Sequence, residues 1–223
     1  MDERPHRPWP AAPGTAVEGP LAHVPLARLA DAVPEAATVR LAVLPVTGLL
    51  ALRGDPERSA LAEAVREATG LALPAALATS LSDGADSPPG AGRVLRWRSP
   101  DEWLLSCPIE ELAELLEGIE RRAGASACAV DVSGGYARFE LSGEGADGAL
   151  RRSTAYDPEL DLPAGKVVST AFAKTAVTMR RIDAGRVELV VRRSFADYVW
   201  TWLQRAAGPG RLAVEPFEER VAG

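Results

Sequence analysis

Two tetrapeptides, Leu71-Ala-Leu-Pro74 and Leu160-Asp-Leu-Pro163, stand as far apart as Gly54 and Gly143 do. Each lies within the same succession of patterns. An apolar run ends at glycine, and a helical stretch leads to the Leu-x-Leu-Pro segment. Two more strand-like runs and a closing helix follow. In the first pass the strands are LLALR (Leu49–Arg53), RVLRWR (Arg93–Arg98) and EWLLSC (Glu102–Cys107), and the closing helix runs from near Pro108 to Gly124. In the second they are YARFEL (Tyr136–Leu141), Ala176–Ile182 and Val187–Arg192, closed by a helix over Ser194–Ala207 that stops at Gly208. Order, punctuation and spacing agree together, which marks an internal duplication. Such a chain is constrained to build one supersecondary unit twice.

The local signals define that unit. Asp55 suits an N-cap and Pro56 the first helical position, where a missing N–H costs nothing. Leu61, Val65 and Ala68 then recur on one face down to Gly70, and Ile109, Leu112, Leu116 and Ile119 form a second stripe. In YARFEL, Ala137, Phe139 and Leu141 point one way while Tyr136, Arg138 and Glu140 point the other, the alternation of an antiparallel strand. Each Leu-x-Leu-Pro segment leads toward a further strand. The expected fold is α+β: two pseudo-repeated split β-α-β subdomains, each with helices on one face of an antiparallel sheet. The boundaries read as a largely unstructured Pro-rich tail over 1–35, a first repeat over 36–125, a second over 126–208, and a C-terminal extension over 209–223. The polar stretch Ser82–Gly92 reads as an exposed loop, and VRLAVL (Val39–Leu44) as a strand opening the first repeat.

Composition then removes functions. Six prolines fall between Met1 and Pro25, and both histidines, His6 and His23, lie in that tail. A general base must be held within hydrogen-bond reach of its substrate, so histidine catalysis and histidine-ligated metal are not expected. Cys107 and Cys128 form no CxxC and read as small core residues. The net charge of −6 argues against a nucleic-acid partner. No apolar run is long enough to span a membrane. The acidic, proline-broken start lacks a secretory pattern, so the cytoplasm is the expected setting. Lysine is confined to Lys166 and Lys174, a bias typical of GC-rich bacterial genomes.

The remaining motifs read as structural. Gly143-Glu-Gly-Ala-Asp-Gly148 matches GxGxxG literally, but Glu144 and Asp147 would lie beside a bound pyrophosphate, and the preceding strand alternates. It reads as a strand–helix turn whose acids complement the helix dipole. Asp131 and Ser133 flank a glycine-rich bend without a base. The arginine pairs 151–152, 180–181 and 192–193 suit an anion, a solvated face or a subunit salt bridge. In the last helix Ser194 and Asp197 suggest a capping box, and Phe195, Val199, Trp202, Leu203 and Ala206 an apolar stripe. Trp200 falls outside that stripe and is expected on the surface, either in a protein contact or over a neighbouring loop. No catalytic, cofactor-binding or metal-binding residue is assigned.

The segments SPDEWLL (Ser99–Leu105), VDVSGGYARFELSG (Val130–Gly143), LRRSTAYD (Leu150–Asp157), GKVVSTAFAKTAVTMRR (Gly165–Arg181) and ELVVRRSFADYVWTWL (Glu188–Leu203) resemble the gamma subunit of heterotetrameric sarcosine oxidase. The similarity runs from about 36 to 207. That family is related in fold to the folate-binding domain of glycine-cleavage T-protein and aminomethyltransferases. The resemblance implies membership of a bacterial αβγδ complex that oxidatively demethylates sarcosine to glycine, yielding hydrogen peroxide and formaldehyde or methylenetetrahydrofolate. It implies that FAD, FMN, NAD, tetrahydrofolate and zinc reside in the alpha, beta and delta partners, and that gamma is a structural subunit with alpha as its direct contact. The competing expectation is a stand-alone folate-dependent aminomethyltransferase-like protein, although the Lys-Gly-Cys-Tyr signature of related folate proteins is missing from the sequence.

Overall fold

A computed structural model describes residues 19–55, 59–82 and 92–215. The cap at Pro56 and most of the loop expected over Ser82–Gly92 lie outside them. The first repeat supplies β2 (Gly48–Gly54), α2 (Ser59–Thr69), β3 (Thr79–Leu81), β4 (Val94–Ser99), β5 (Glu102–Cys107) and α3 (Leu112–Ala123). The second repeats the series as β7 (Tyr136–Ser142), α4 (Ala146–Arg151), β8 (Val167–Phe172), β9 (Thr175–Asp183), β10 (Arg186–Arg192) and α5 (Ala196–Ala207). Both Leu-x-Leu-Pro segments do lead into a strand, β3 and β8.

One sheet runs β3-β4-β5-β2 and ends on β6 (Ala127–Asp131). The other runs β8-β9-β10-β7, continues to β1 (Val39–Val43) and ends on β11 (Leu212–Glu215). All pairings are antiparallel except β1 with β11. The strands β1 and β6 lead into β2 and β7 through residues 44–47 and 132–135, so they are counterparts in the duplication. Each pairs away from its own repeat: β6 with β2, and β1 with β7. The two halves are thereby cross-tied by an exchange of leading strands.

Helices cover the outer faces. On α3, Leu112, Leu115, Leu116, Ile119 and Ala123 are buried, and the first four share one cluster with Leu50, Leu52, Leu95, Trp103 and Leu105 of the first sheet. Each such Leu or Ile contributes roughly 1.5–3 kcal/mol relative to exposure. On α5 the buried set is Ala196, Val199, Trp200, Leu203, Ala206 and Ala207, packed with Phe139, Leu141 and Leu189 of the second sheet. A third cluster, Leu49, Leu104, Tyr136 and Val190, takes members from both sheets. The layers are therefore helix, sheet, sheet, helix.

Several expectations are corrected. Residues 19–35 are ordered: Leu21 is buried, and α1 (Leu26–Asp31) packs near β11. Residues 212–215 of the expected extension form a sheet strand. Trp200 is 5% exposed and belongs to the core stripe. It lies one position after Val199 and four after Ala196, on the face that α5 turns to the sheet. Trp202 is only partly buried, and its indole N–H donates to Ser153 Oγ at 3.0 Å. Phe195, not Ser194, occupies the N-cap and makes no side-chain capping bond, because the 3-10 turn Arg193–Phe195 precedes the helix. Phe195 is 41% exposed.

Candidate functional site

The inner faces of both sheets carry charge. On β7 the inward residues are Tyr136, Arg138 and Glu140. Across the ladder Glu188 of β10 is paired with Glu140 on one side and Arg180 of β9 on the other. Arg96 of β4 reaches Glu188 from the opposite sheet. Arg96 Nε donates to Glu188 Oε2 at 3.0 Å, and Arg96 Nη2 donates to Oε1 and Oε2 at 2.8 and 2.7 Å. Arg138 Nε donates to Oε1 and Arg180 Nε to Oε2, both at 2.9 Å. Arg96 Nη1 is held by Ser106 Oγ and the Val94 carbonyl.

All four side chains are nearly or wholly out of water. Burial alone would raise the Glu188 pKa, but the charges of Arg96, Arg138 and Arg180 together outweigh it and hold the carboxyl well below the usual range. Burial, with the neighbouring guanidiniums, pulls Arg96 down to about 10 against the opposing attraction of Glu188, so it stays protonated at neutral pH. Glu140 lies nearby, with Arg186 Nη1 3.7 Å from its Oε2. Such a buried knot fixes the relative register of two layers, because leaving any one charge unpartnered in the interior is costly. Three arginines around a carboxylate already engaged by all of them form a structural clamp. Sequence reading placed Arg138 on the polar face of YARFEL and noted the arginine pair 180–181, but singled out neither Arg96 nor Glu188. The available signal was charged residues at alternating positions in RVLRWR and YARFEL and a lone Glu188 within the apolar run of β10.

The motifs considered from sequence are absorbed into packing. Gly143 has φ +94°, and a Cβ there would stand 2.5 Å from the Thr38 carbonyl oxygen; at Gly145 it would meet Thr38 Oγ1 at 2.6 Å. The Gly145 N–H donates to that Thr38 carbonyl at 2.9 Å. The loop thus admits the chain entering β1 where a phosphate would have to lie. Asp147 pairs with Arg181 Nη2 at 2.7 Å. Ser133 Oγ donates to Asp131 Oδ1 at 2.6 Å and accepts the Leu49 N–H at 2.9 Å. Arg151 pairs with Glu159 and Asp157, and Arg152 Nε donates to the Ala206 carbonyl. Arg192 stacks 4.8 Å over the Tyr136 ring, with Arg98 at 5.5 Å.

Cys107 is buried, and burial pushes its thiol up to about 12. Cys128 is exposed, correcting the expectation of a core residue: on β6 it is Ala129 that faces α3, so Cys128 and Val130 turn the other way. His23 is ordered on the surface, its Nε2 3.0 Å from Asp197 Oδ1; His6 lies outside the described residues. Among the described residues, no three His, Cys, Asp or Glu side chains come together as a metal site. Among the same residues, no helix is long and apolar enough to cross a membrane.

Comparison with known proteins gives a family match over residues 53–209, to the model described as sarcosine oxidase, gamma subunit family. The heterotetrameric sarcosine oxidase from Corynebacterium sp. U-96, solved with pyrrole 2-carboxylate, contains a chain of 28% identity and TM-score 0.71, the alignment covering 85% of this chain and 94% of that one. The glycine cleavage system aminomethyltransferase T from Bartonella henselae shares the fold at 15% identity and TM-score 0.57, covering 85% of this chain and 50% of that one. A probable cell division protein WhiA from Mycolicibacterium vanbaalenii is 36% identical over 114 residues, 51% of this chain. The chain spans about a third (32%) of that relative's length.

Proposed function

The chain belongs to the sarcosine oxidase gamma subunit family, and from that premise we propose that it is a structural, assembly-promoting subunit whose complex does its chemistry elsewhere. The complex is an αβγδ oxidase that removes the N-methyl group of sarcosine oxidatively. Its products are glycine, hydrogen peroxide and a one-carbon unit released as formaldehyde or captured on tetrahydrofolate. On this reading FAD, FMN, NAD, tetrahydrofolate and zinc are held by the alpha, beta and delta partners, alpha is the direct contact of this chain, and the complex works in the cytoplasm. The two repeats over 36–125 and 126–208 are tied together, because each sheet contains the other repeat's leading strand.

One observation carries the non-catalytic reading. The polar groups that offered chemistry are consumed internally: Glu188 by three arginines, Ser133 by Asp131 and Leu49, and the Gly145 N–H by Thr38. A reacting group must be free to meet a substrate. The test is co-expression with the alpha, beta and delta subunits. The chain should co-purify with them, its deletion should lower the yield of assembled oxidase, and the isolated chain should bind no flavin. Calorimetry with tetrahydrofolate on the isolated chain should be silent. Micromolar binding there would overturn this reading in favour of a folate-dependent aminomethyltransferase-like protein.

A further inference from the structure

The duplication makes the two sheets comparable strand by strand, and they differ at one place. β8-β9-β10-β7-β1 corresponds to β3-β4-β5-β2-β6, but β1 is closed on its far side by β11, whereas β6 ends its sheet with no further strand among the described residues. We propose that the open edge of β6 is the site where another subunit of the oxidase adds a short apolar strand, as Leu212–Glu215 is added to β1. This rests on the subunit reading above.

The other sheet edges carry the devices that discourage such pairing. β3 is only three residues long. β8 is bracketed by Lys166 and Lys174, the only lysines in the chain. β11 has α1 packed near it, and its Glu215 is paired with Arg40 at 3.0 Å. β6 reads ACAVD: it has no lysine, arginine or proline, and its pairing with β2 shows no register shift. The Val132 N–H donates to the Leu49 carbonyl at 2.8 Å. By antiparallel alternation the polar groups of Val130 and Cys128 then turn toward β2, and the N–H and C=O of Ala129 turn outward.

The exposed face beside this edge is apolar. Val130 shares its face with Ala51 and Leu49, the face that meets the second sheet elsewhere, yet it is 46% exposed. The second sheet therefore does not reach over β6. The turn Ser133–Gly135 after β6 packs near the turn Arg193–Phe195, which presents the exposed Phe195. Main-chain hydrogen bonds from an added strand, with an apolar residue set against Val130, follow the ordinary chemistry of strand addition.

Hydrogen exchange on the isolated chain and on the co-expressed complex tests this, together with Val130→Lys. In the complex the Ala129 amide should exchange more slowly by roughly tenfold or more. Val130→Lys, at an exposed position, should keep the isolated chain's melting temperature yet lower its recovery with the complex at least ~10-fold, corresponding to about 1.4 kcal/mol of association free energy. Normal co-purification of the wild type with unchanged Ala129 exchange and normal incorporation of Val130→Lys overturns the edge proposal and leaves the subunit reading intact. Failure of the wild type to co-purify overturns both. A concentration-dependent dimer of the isolated chain, abolished by Val130→Lys, also overturns the proposal, because the occupant is then a second copy.

Discussion

Replacing Glu188 with Gln tests the central clamp most directly. The substitution keeps the shape of the side chain but removes the charge that Arg96, Arg138 and Arg180 meet at 2.7–3.0 Å. Those guanidiniums would then lose the carboxylate they share, and the Gln amide would turn donors toward donors. Breaking a buried ion pair by removing one partner costs about 3–5 kcal/mol, a large share of the ~5–15 kcal/mol that holds an ordinary fold. At roughly 2–4 °C per kcal/mol for a chain of this length, the midpoint should fall by roughly 6–20 °C. Urea titration followed by circular dichroism should show the same loss with an unchanged slope. The double replacement Arg96→Met with Glu188→Leu should not recover it, since it leaves the buried Arg138 and Arg180 without the carboxylate they share; only replacing the cluster as a whole by apolar residues of similar volume removes the desolvation cost along with the attraction. The folded Glu188 titrates below the ordinary glutamate value of 4.5. Its stabilisation is therefore complete above that value and is lost as pH falls through the lower folded-state value. The gap between wild type and Glu188→Gln should stay constant near neutrality and close only in acid. A loss below ~1 kcal/mol at pH 7, or a gap that does not close in acid, would refute the clamp.

Three further outcomes follow from the same geometry. Gly143→Ala should destabilise by at least about 1–3 kcal/mol, because its φ of +94° and the Thr38 carbonyl at 2.5 Å both reject a side chain; a neutral result in thermal melts would contradict the entry path drawn for β1. Thiol titration of the native chain at pH 8 should report Cys128 promptly and Cys107 only after unfolding, since the latter is buried with its thiol pushed up to about 12; prompt reaction of both would be the contrary result. Trp200→Ala should cost about 3–5 kcal/mol as a core truncation, whereas Trp202→Phe should cost about 0.5–1.5 kcal/mol, the net worth of its bond to Ser153. Equal losses for the two would mean that the stripe on α5 is drawn wrongly.

The repeat was legible because its marks are local. Gly70, Gly124 and Gly208 carry the positive φ that ends or follows a helix, and each apolar stripe needs only a 3.6-residue period. The misassignments on α5 arose where local rules compete: the stripe was drawn through Trp202 when the true face passes through Ala196, Val199, Trp200 and Leu203. Cys128 was misplaced because an apolar run says nothing about which neighbours a terminal strand lacks. No catalytic or ligand-binding residue was assigned from sequence, and the burial of Arg138, Glu140 and Arg180 was not foreseen because an alternating strand does not announce what lies above its polar face.

By itself, then, the sequence determined an α+β chain made twice, with the order of its strands and helices in place. Tertiary structure alone decided that β1 and β6 exchange sheets, and that the polar faces of YARFEL and ELVV turn inward rather than to water. The physical reason is range. Periodicity is set by neighbours a few residues away, whereas the burial of Glu188 becomes tolerable only when Arg96, 92 residues distant in the chain, arrives from the opposite sheet.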